Sequence, residues 1–422
     1  MFSGLLGALA ATGSVNSQIL WTMLEFAKGL RTAMLLERTG SARLSSDPEA
    51  TAILERIASR APGSAVPLTL YRAFENRRQQ LLLLRDLPAP SLLDLDQARR
   101  ALDHRTVLLS TITMTEPDRG YSRIAGIFWD DGQALVGSGP LPPQLPQQDI
   151  PWVPEGVREV LAELTAEGRD HLCVIPDSGL HTAPWHLYGW GDWVFADEWI
   201  VTLLPHPHLL FSGRGQLAVV APARLPVLAI GVADSAAAPD LPPLPDAADE
   251  ARQIARQLGG RALTGADATE EAIRELAPTA RYLHVASHGW FEPTVPSWHA
   301  LIVQPGESSD GMLTAWEVAE LDLRAVRLVT LSACETAKLA VQPGDNIDGL
   351  PLAFLSAGAR AVIGTQWEIE TTVTRRFFEE FYAALGKNDD VRDAFRAAQL
   401  TVKGEFPEPG QWAAFYLLGD WR

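Results

Sequence analysis

From residue 171 to the C-terminus, short runs rich in valine, leucine and isoleucine alternate with amphipathic stretches, and this alternation limits the possible folds more than any other feature. The runs are HLCVIP (171–176), QLAVVA (216–221), PVLAIGV (226–232), ARYLHVAS (280–287), AVRLVTLSA (325–333) and ARAVIGTQ (359–366). A strand that is apolar on both faces needs cover on both, which a parallel sheet flanked by helices supplies. Between the runs, residues 245–258, 268–276 and 347–357 place apolar side chains at helical spacing, and TTVTRRFFEEFYAALG and DDVRDAFRAAQLTV do so again near the end. The reading is an α/β domain with a mostly parallel sheet and helices on both faces.

Upstream the pattern differs. TVLLSTIT (106–113) and SRIAGIFW (122–129) are strand-like, and Asp131-Gly132 before QALVG signals a hairpin. Before them, residues 19–34, 48–60, 67–86 and 96–103 read as helices, with no self-similar repeat period. The expected division is a helical segment over 1–104 and the α/β domain over 105–422. The proline-rich stretch 239–246 reads as a surface loop.

The 422 residues carry a formal net charge of −17, against the surplus of Lys and Arg that nucleic-acid phosphates require. No apolar run is long enough to span a bilayer, and two cysteines form no disulfide framework. A cytoplasmic protein without membrane or nucleic-acid partners is expected.

Two of the strand-like runs end in reactive residues. ARYLHVAS leads into His288-Gly289, and AVRLVTLSA leads into Cys334, 46 residues later. In open α/β sheets, reactive groups gather beyond the carboxyl ends of the strands. A thiolate is a strong nucleophile, and an imidazole exchanges protons near neutral pH. If the two strands are neighbours, His288 serves as base and Cys334 as nucleophile, with the N–H groups of Gly289 and Cys334 as an oxyanion hole. Against this stands the common fate of a cysteine at a strand end, which is burial in the core. Cys173, inside its strand, reads as core, and so does His284.

Other candidates are weaker. His181, His186, His206 and His208 lack the ligand spacing of a metal site, so no metal or other cofactor is expected. Trp185, Trp190, Trp193 and Trp199 read as packing residues. No phosphate-binding glycine loop is present.

Taken together, LHVASHGWF, LVTLSACETA and GLPLAFLSAGARAVIGTQW resemble the CHAT domain, a caspase-like domain that often follows tetratricopeptide repeats in bacteria. CVIPDSGLHTAPWHLY, PVLAIGV and GQWAAFYLLGD extend the resemblance over roughly residues 105–422. It implies a caspase-like fold related to caspases, separase and gingipains, and a His/Cys dyad at His288 and Cys334. It also implies cysteine-endopeptidase activity on a protein substrate, controlled by a partner or signal. Some members have lost activity, so a catalytically silent interaction module is the alternative; a small-molecule acyl hydrolase is a third. Where relatives carry an Asp after the tryptophan that ends the strand before the terminal helices, this chain has Trp367-Glu368-Ile369-Glu370. Glu370, or Asp345 and Asp348 in the loop after the nucleophile, would attract a basic substrate side chain; an apolar pocket would use Trp367 and Trp290. The loop 337–348 is expected to move on activation.

Overall fold

The computed structural model describes residues 21, 47–58, 69–70, 72–74, 76–77, 95–116, 120–137, 155–190, 193–212, 223–291, 295–332, 339–342 and 346–422. One eleven-stranded sheet organises them. In chain order its strands are β1 (Thr106–Glu116), β2 (Gly120–Phe128), β3 (Gln133–Gly137), β4 (His171–Ile175), β5 (Ile200–Leu203) and β6 (Leu225–Gly231). They continue with β7 (Arg261–Thr264), β8 (Ala280–Ala286), β9 (Leu328–Ser332), β10 (Ala361–Thr365) and β11 (Phe415–Gly419). Across the sheet the order is β3-β2-β1-β4-β5-β11-β10-β9-β8-β6-β7.

The sheet is mostly parallel, as the alternation required. Only the β1-β2-β3 meander at one edge and the β10–β11 pair are antiparallel. Every residue of β4, β5, β10 and β11 is buried, so the centre of the sheet is covered on both faces. The principal helices are α1 (Pro48–Ala58), α2 (Leu95–Ala101), α3 (Glu155–Ala166), α4 (Ala247–Leu258), α5 (Glu270–Leu276), α6 (Leu350–Ser356), α7 (Thr371–Asn388) and α8 (Val391–Glu405). Among the described residues no helix is long and apolar enough to cross a membrane.

Three strands escaped the pattern reading. β5 and β7 have four residues each, too few to show a period. β11 lies in the closing block and enters the middle of the sheet, between β5 and β10. The run 216–221 lies outside the described residues, as do most of 19–34 and much of 67–86.

Packing fixes how these parts meet. A Cβ on Gly231, at the end of β6, would stand 2.3 Å from the Ala247 carbonyl oxygen. Only glycine lets the start of α4 settle this close to the strand end. On the N-terminal side, Asp47 caps α1 by accepting from the Ala50 N–H at 2.8 Å and binds Arg77 through both carboxylate oxygens. The Arg77 guanidinium holds the Asp47 carboxyl down to about 2. Phe74 is fully buried and meets Trp298 and Trp316, with ring centroids 5.6 and 5.4 Å away. Both tryptophans lie in the stretch that follows His288, so helical N-terminal residues pack directly on that stretch.

The same stretch carries a pH-sensitive tie. Glu270, only 1% exposed, accepts from the Gly311 N–H at 3.0 Å and pairs with Arg274, which also binds Glu317 at 2.7 Å. Burial first, then repulsion from Glu317 and Asp310, pushes Glu270 up to about 7. An acid with a raised folded pKa binds its proton more tightly folded than unfolded, so stability falls as pH rises from about 4.5 through about 7. Glu270→Gln is expected to flatten this window, measured as a smaller drop in melting temperature between pH 5 and pH 8.

Candidate active site

β8 and β9 are adjacent and parallel, with Tyr282 to Ala286 paired in order with Leu328 to Ser332. The adjacency that a His/Cys pair requires is therefore present. His288 follows Ala286 by two residues, and Cys334 follows Ser332 by two. Cys334 itself lies in 333–338, outside the described residues.

His288 is half-buried at the rim of the sheet. Its Nε2 lies 2.6 Å from the carbonyl oxygen of Pro242. A carbonyl only accepts, so Nε2 carries the proton in this bond and Nδ1 is left as the basic nitrogen. The proline-rich stretch read as a surface loop thus folds back onto the histidine and fixes its tautomer. Gly289 opens a two-residue strand paired with Leu301, and the Ile302 N–H donates to the His288 carbonyl at 2.9 Å. Together these hold the chain on the far side of His288.

A cavity of about 230 Å³ opens beside His288. It is bounded by the ends of β8, β9 and β10, the loop before α4, and the first turns of α4 and α7; Ser332, the last residue of β9, forms part of its wall. Two carboxylates line it, Asp246 and Glu250. They lie four apart at the start of α4, on one helical face. That spacing is visible in LPDAADEA, but only the tertiary fold turns the face toward His288.

Beneath the cavity lies His284, with no exposure at all. Its Nδ1 meets Thr330 Oγ1 at 2.8 Å, and Thr330 Oγ1 meets the Tyr382 hydroxyl at 2.5 Å. Its Nε2 faces Glu250 Oε1 at 3.0 Å, out of hydrogen-bonding alignment. The core reading of His284 holds, and its polar partners are side chains of the neighbouring strand and of helices.

Of the expected pocket residues, the described ones do not line this cavity. Glu370 is exposed, precedes α7, and does not line the cavity, although its neighbours Ile369 and Thr371 do. Trp367 donates its Nε1–H to the Gly410 carbonyl at 2.6 Å and packs on the core rather than in the cavity. Asp348 is 6% exposed and belongs to an antiparallel pairing of Ala340–Gln342 with Asn346–Asp348. Asp345 lies outside the described residues. Trp290 is 48% exposed and is not a cavity residue. The described part of the loop 337–348, expected to move, includes this antiparallel pairing, with Ile347 fully buried.

Cys173 is fully buried, and burial pushes its thiol up to about 12, which leaves it unreactive at neutral pH. His181, His186, His206 and His208 are each at most 5% exposed; burial pulls His186 down to about 4. Among the described residues no three side chains of His, Cys, Asp or Glu gather as a metal site. Trp185 and Trp199 are core residues.

A family model of the CHAT domain matches residues 154–420. Tetratricopeptide repeat protein 28 of Homo sapiens is 27% identical over 220 residues, covering 42% of this chain and 8% of that protein. The Mus musculus protein of the same name is also 27% identical over 220 residues, with 9% of its length covered. The chain thus spans less than a tenth of the length of these relatives. Among solved structures, separase of Saccharomyces cerevisiae in its complex with securin aligns with a TM-score of 0.43 at 14% identity, over 59% of this chain and 15% of separase. The Arg-specific cysteine proteinase gingipain R aligns with a TM-score of 0.43 at 11% identity, over 63% of this chain and 66% of that one.

Proposed function

The chain belongs to the CHAT domain family, and from that premise we propose that it is a cysteine endopeptidase in which Cys334 attacks a peptide carbonyl and His288 moves the protons. One observation carries the reading. The register that pairs Ala286 with Ser332 sends both chains off the same edge of the sheet, and the two candidate residues each follow by two positions. Ser332, two positions before Cys334 in the sequence, lines the cavity beside His288.

Nδ1 of His288 takes the thiol proton, and the thiolate sulfur bonds to the carbonyl carbon. The oxyanion so formed accepts from the N–H groups of Gly289 and Cys334. The imidazolium returns its proton to the leaving amine as the carbon–nitrogen bond breaks. Water, deprotonated by the same imidazole, then hydrolyses the thioester. The Pro242 carbonyl contributes by holding Nε2–H, so that the ring presents Nδ1 at every step and stabilises the imidazolium. The substrate is a protein, and a protein partner or signal controls the activity in the cytoplasm.

A peptide carrying a carbon electrophile, offered to the full chain, tests this. Intact mass and peptide mapping should show one adduct, on Cys334 and not on Cys173, formed at least about 100-fold faster than on a free thiol of the same pKa. Absence of the adduct, with the protein folded, would instead support a silent interaction module. The similarity to a protein named for its tetratricopeptide repeats favours that second reading.

A further inference from the structure

Immediately after His288 the chain forms an open edge. Gly289–Trp290 is the outer strand of a small three-stranded sheet, followed by Ala300–Ile302 and then Met312–Thr314, and both pairings are antiparallel. In such a ladder, opposed residues alternate between pairs that exchange hydrogen bonds and pairs that do not. The Ile302 N–H donates to the His288 carbonyl at 2.9 Å, and the register Gly289↔Leu301 sets these two residues opposite each other. The next pair, Gly289 and Leu301, therefore exchanges none. The third strand agrees. The Val303 N–H donates to the Gly311 carbonyl and the Ala315 N–H to the His299 carbonyl, which turns the polar groups of Leu301 toward Leu313. Gly289 consequently points both its N–H and its C=O away from the sheet, to an edge that no further strand covers among the described residues.

Beside this edge stands an uncovered indole. Trp290 is 48% exposed, and Ala300, opposite it across the strand pair, has only a methyl group to cover it. Trp290 lies outside the wall of the cavity beside His288, so the two are separate features of the rim. An open strand edge takes up an extended peptide through backbone hydrogen bonds, and a neighbouring side chain selects among peptides.

Chemistry fixes which part of a peptide this would be. On the peptidase reading, on which this inference rests, the Gly289 N–H serves the oxyanion and His288 protonates the leaving nitrogen, which requires hydrogen-bonding reach. The residues beyond the cut begin at that nitrogen, and the edge that continues from His288 is open to receive them. We propose that Gly289–Trp290 binds the leaving-side segment of the substrate. The Gly289 carbonyl accepts from an amide N–H of that segment, and the Trp290 indole packs on an aromatic or large aliphatic side chain within the first two residues after the cut. Trp290 sets specificity and takes no part in bond making or breaking.

Two measurements on the full chain separate this inference from the function beneath it. In the first, a random peptide mixture is digested, the cuts are read by mass spectrometry, and one cleaved sequence is remade with Phe, Leu or Gly at each of the two positions after the cut. At one of them kcat/KM should be about tenfold higher for Phe or Leu than for Gly. Trp290→Ala should bring that ratio below about twofold, and Trp290→Phe should keep most of it. In the second, random decapeptides are passed over immobilised Cys334→Ala protein, where no turnover occurs, and those retained are sequenced. They should be enriched in Phe, Tyr, Trp and Leu, and the enrichment should vanish when Trp290→Ala is added. Equal rates for Phe, Leu and Gly, or a preference that survives Trp290→Ala, overturn the inference and leave the peptidase standing. Trp290-dependent retention without any cleavage overturns the peptidase and leaves a peptide-binding edge. Absence of both cleavage and Trp290-dependent retention overturns the two together.

Discussion

Cys334→Ala and His288→Ala are each expected to lower peptide cleavage by about 10⁴-fold, with melting temperature and circular dichroism unchanged. The loss is large because the two side chains act as one unit. Without the imidazole the thiol is mostly protonated at neutral pH, and the leaving amine lacks its proton donor. Without the sulfur no covalent intermediate forms. The fold is indifferent to the change at His288, which is half-buried and whose imidazole, among the described residues, hydrogen-bonds one loop carbonyl. The double variant should be no slower than the slower single one, as groups that work in concert are not additive. A product equal to the sum of the two single losses in free energy would show that they act independently, and the dyad assignment would fail. Kinetics of the four proteins on one fluorogenic peptide decide the matter.

Phe377→Ala is expected to destabilise the domain by about 4 kcal/mol, read as a lower urea midpoint with an unchanged slope. Phe377 lies on α7 with no exposure. Its ring stacks on Phe415 of β11 with centroids 3.8 Å apart and an interplanar angle of 7°. It also meets Phe378, Phe381 and, on α8, Phe395, at 5.3, 6.3 and 5.6 Å. Truncation removes the contacts that join both terminal helices to the central antiparallel strand, and neighbours this tightly packed relax little into the space. A cost below about 1 kcal/mol would mean that the cluster collapses freely. The effect reaches the site as well, because α7 begins at the cavity, with Thr371 and Thr374 in its wall.

Much of the α/β architecture was legible because its signals are local. Runs such as RYLHVA and RLVTLS are apolar on both faces over a few residues, which is a property of strands buried on both sides. The terminal helices show their stripes over four or more turns. His288 and Cys334 stood out for the same reason, each just past the end of such a run. The shorter strands β5 and β7 gave too few residues for any period to register.

By itself, then, the sequence determined which segments become buried strands and helices, and that a thiol and an imidazole follow two of those strands. Spacing of apolar side chains within a segment encodes this, and it needs no knowledge of distant neighbours. Only the tertiary structure decided that β8 and β9 lie side by side, that β11 enters antiparallel at the centre, and that the Pro242 loop turns onto His288. It likewise placed Asp246 and Glu250 in the wall of the cavity beside His288. These outcomes depend on contacts between residues far apart in the chain, such as Gly231 against Ala247 and Phe377 against Phe415, which no local pattern specifies.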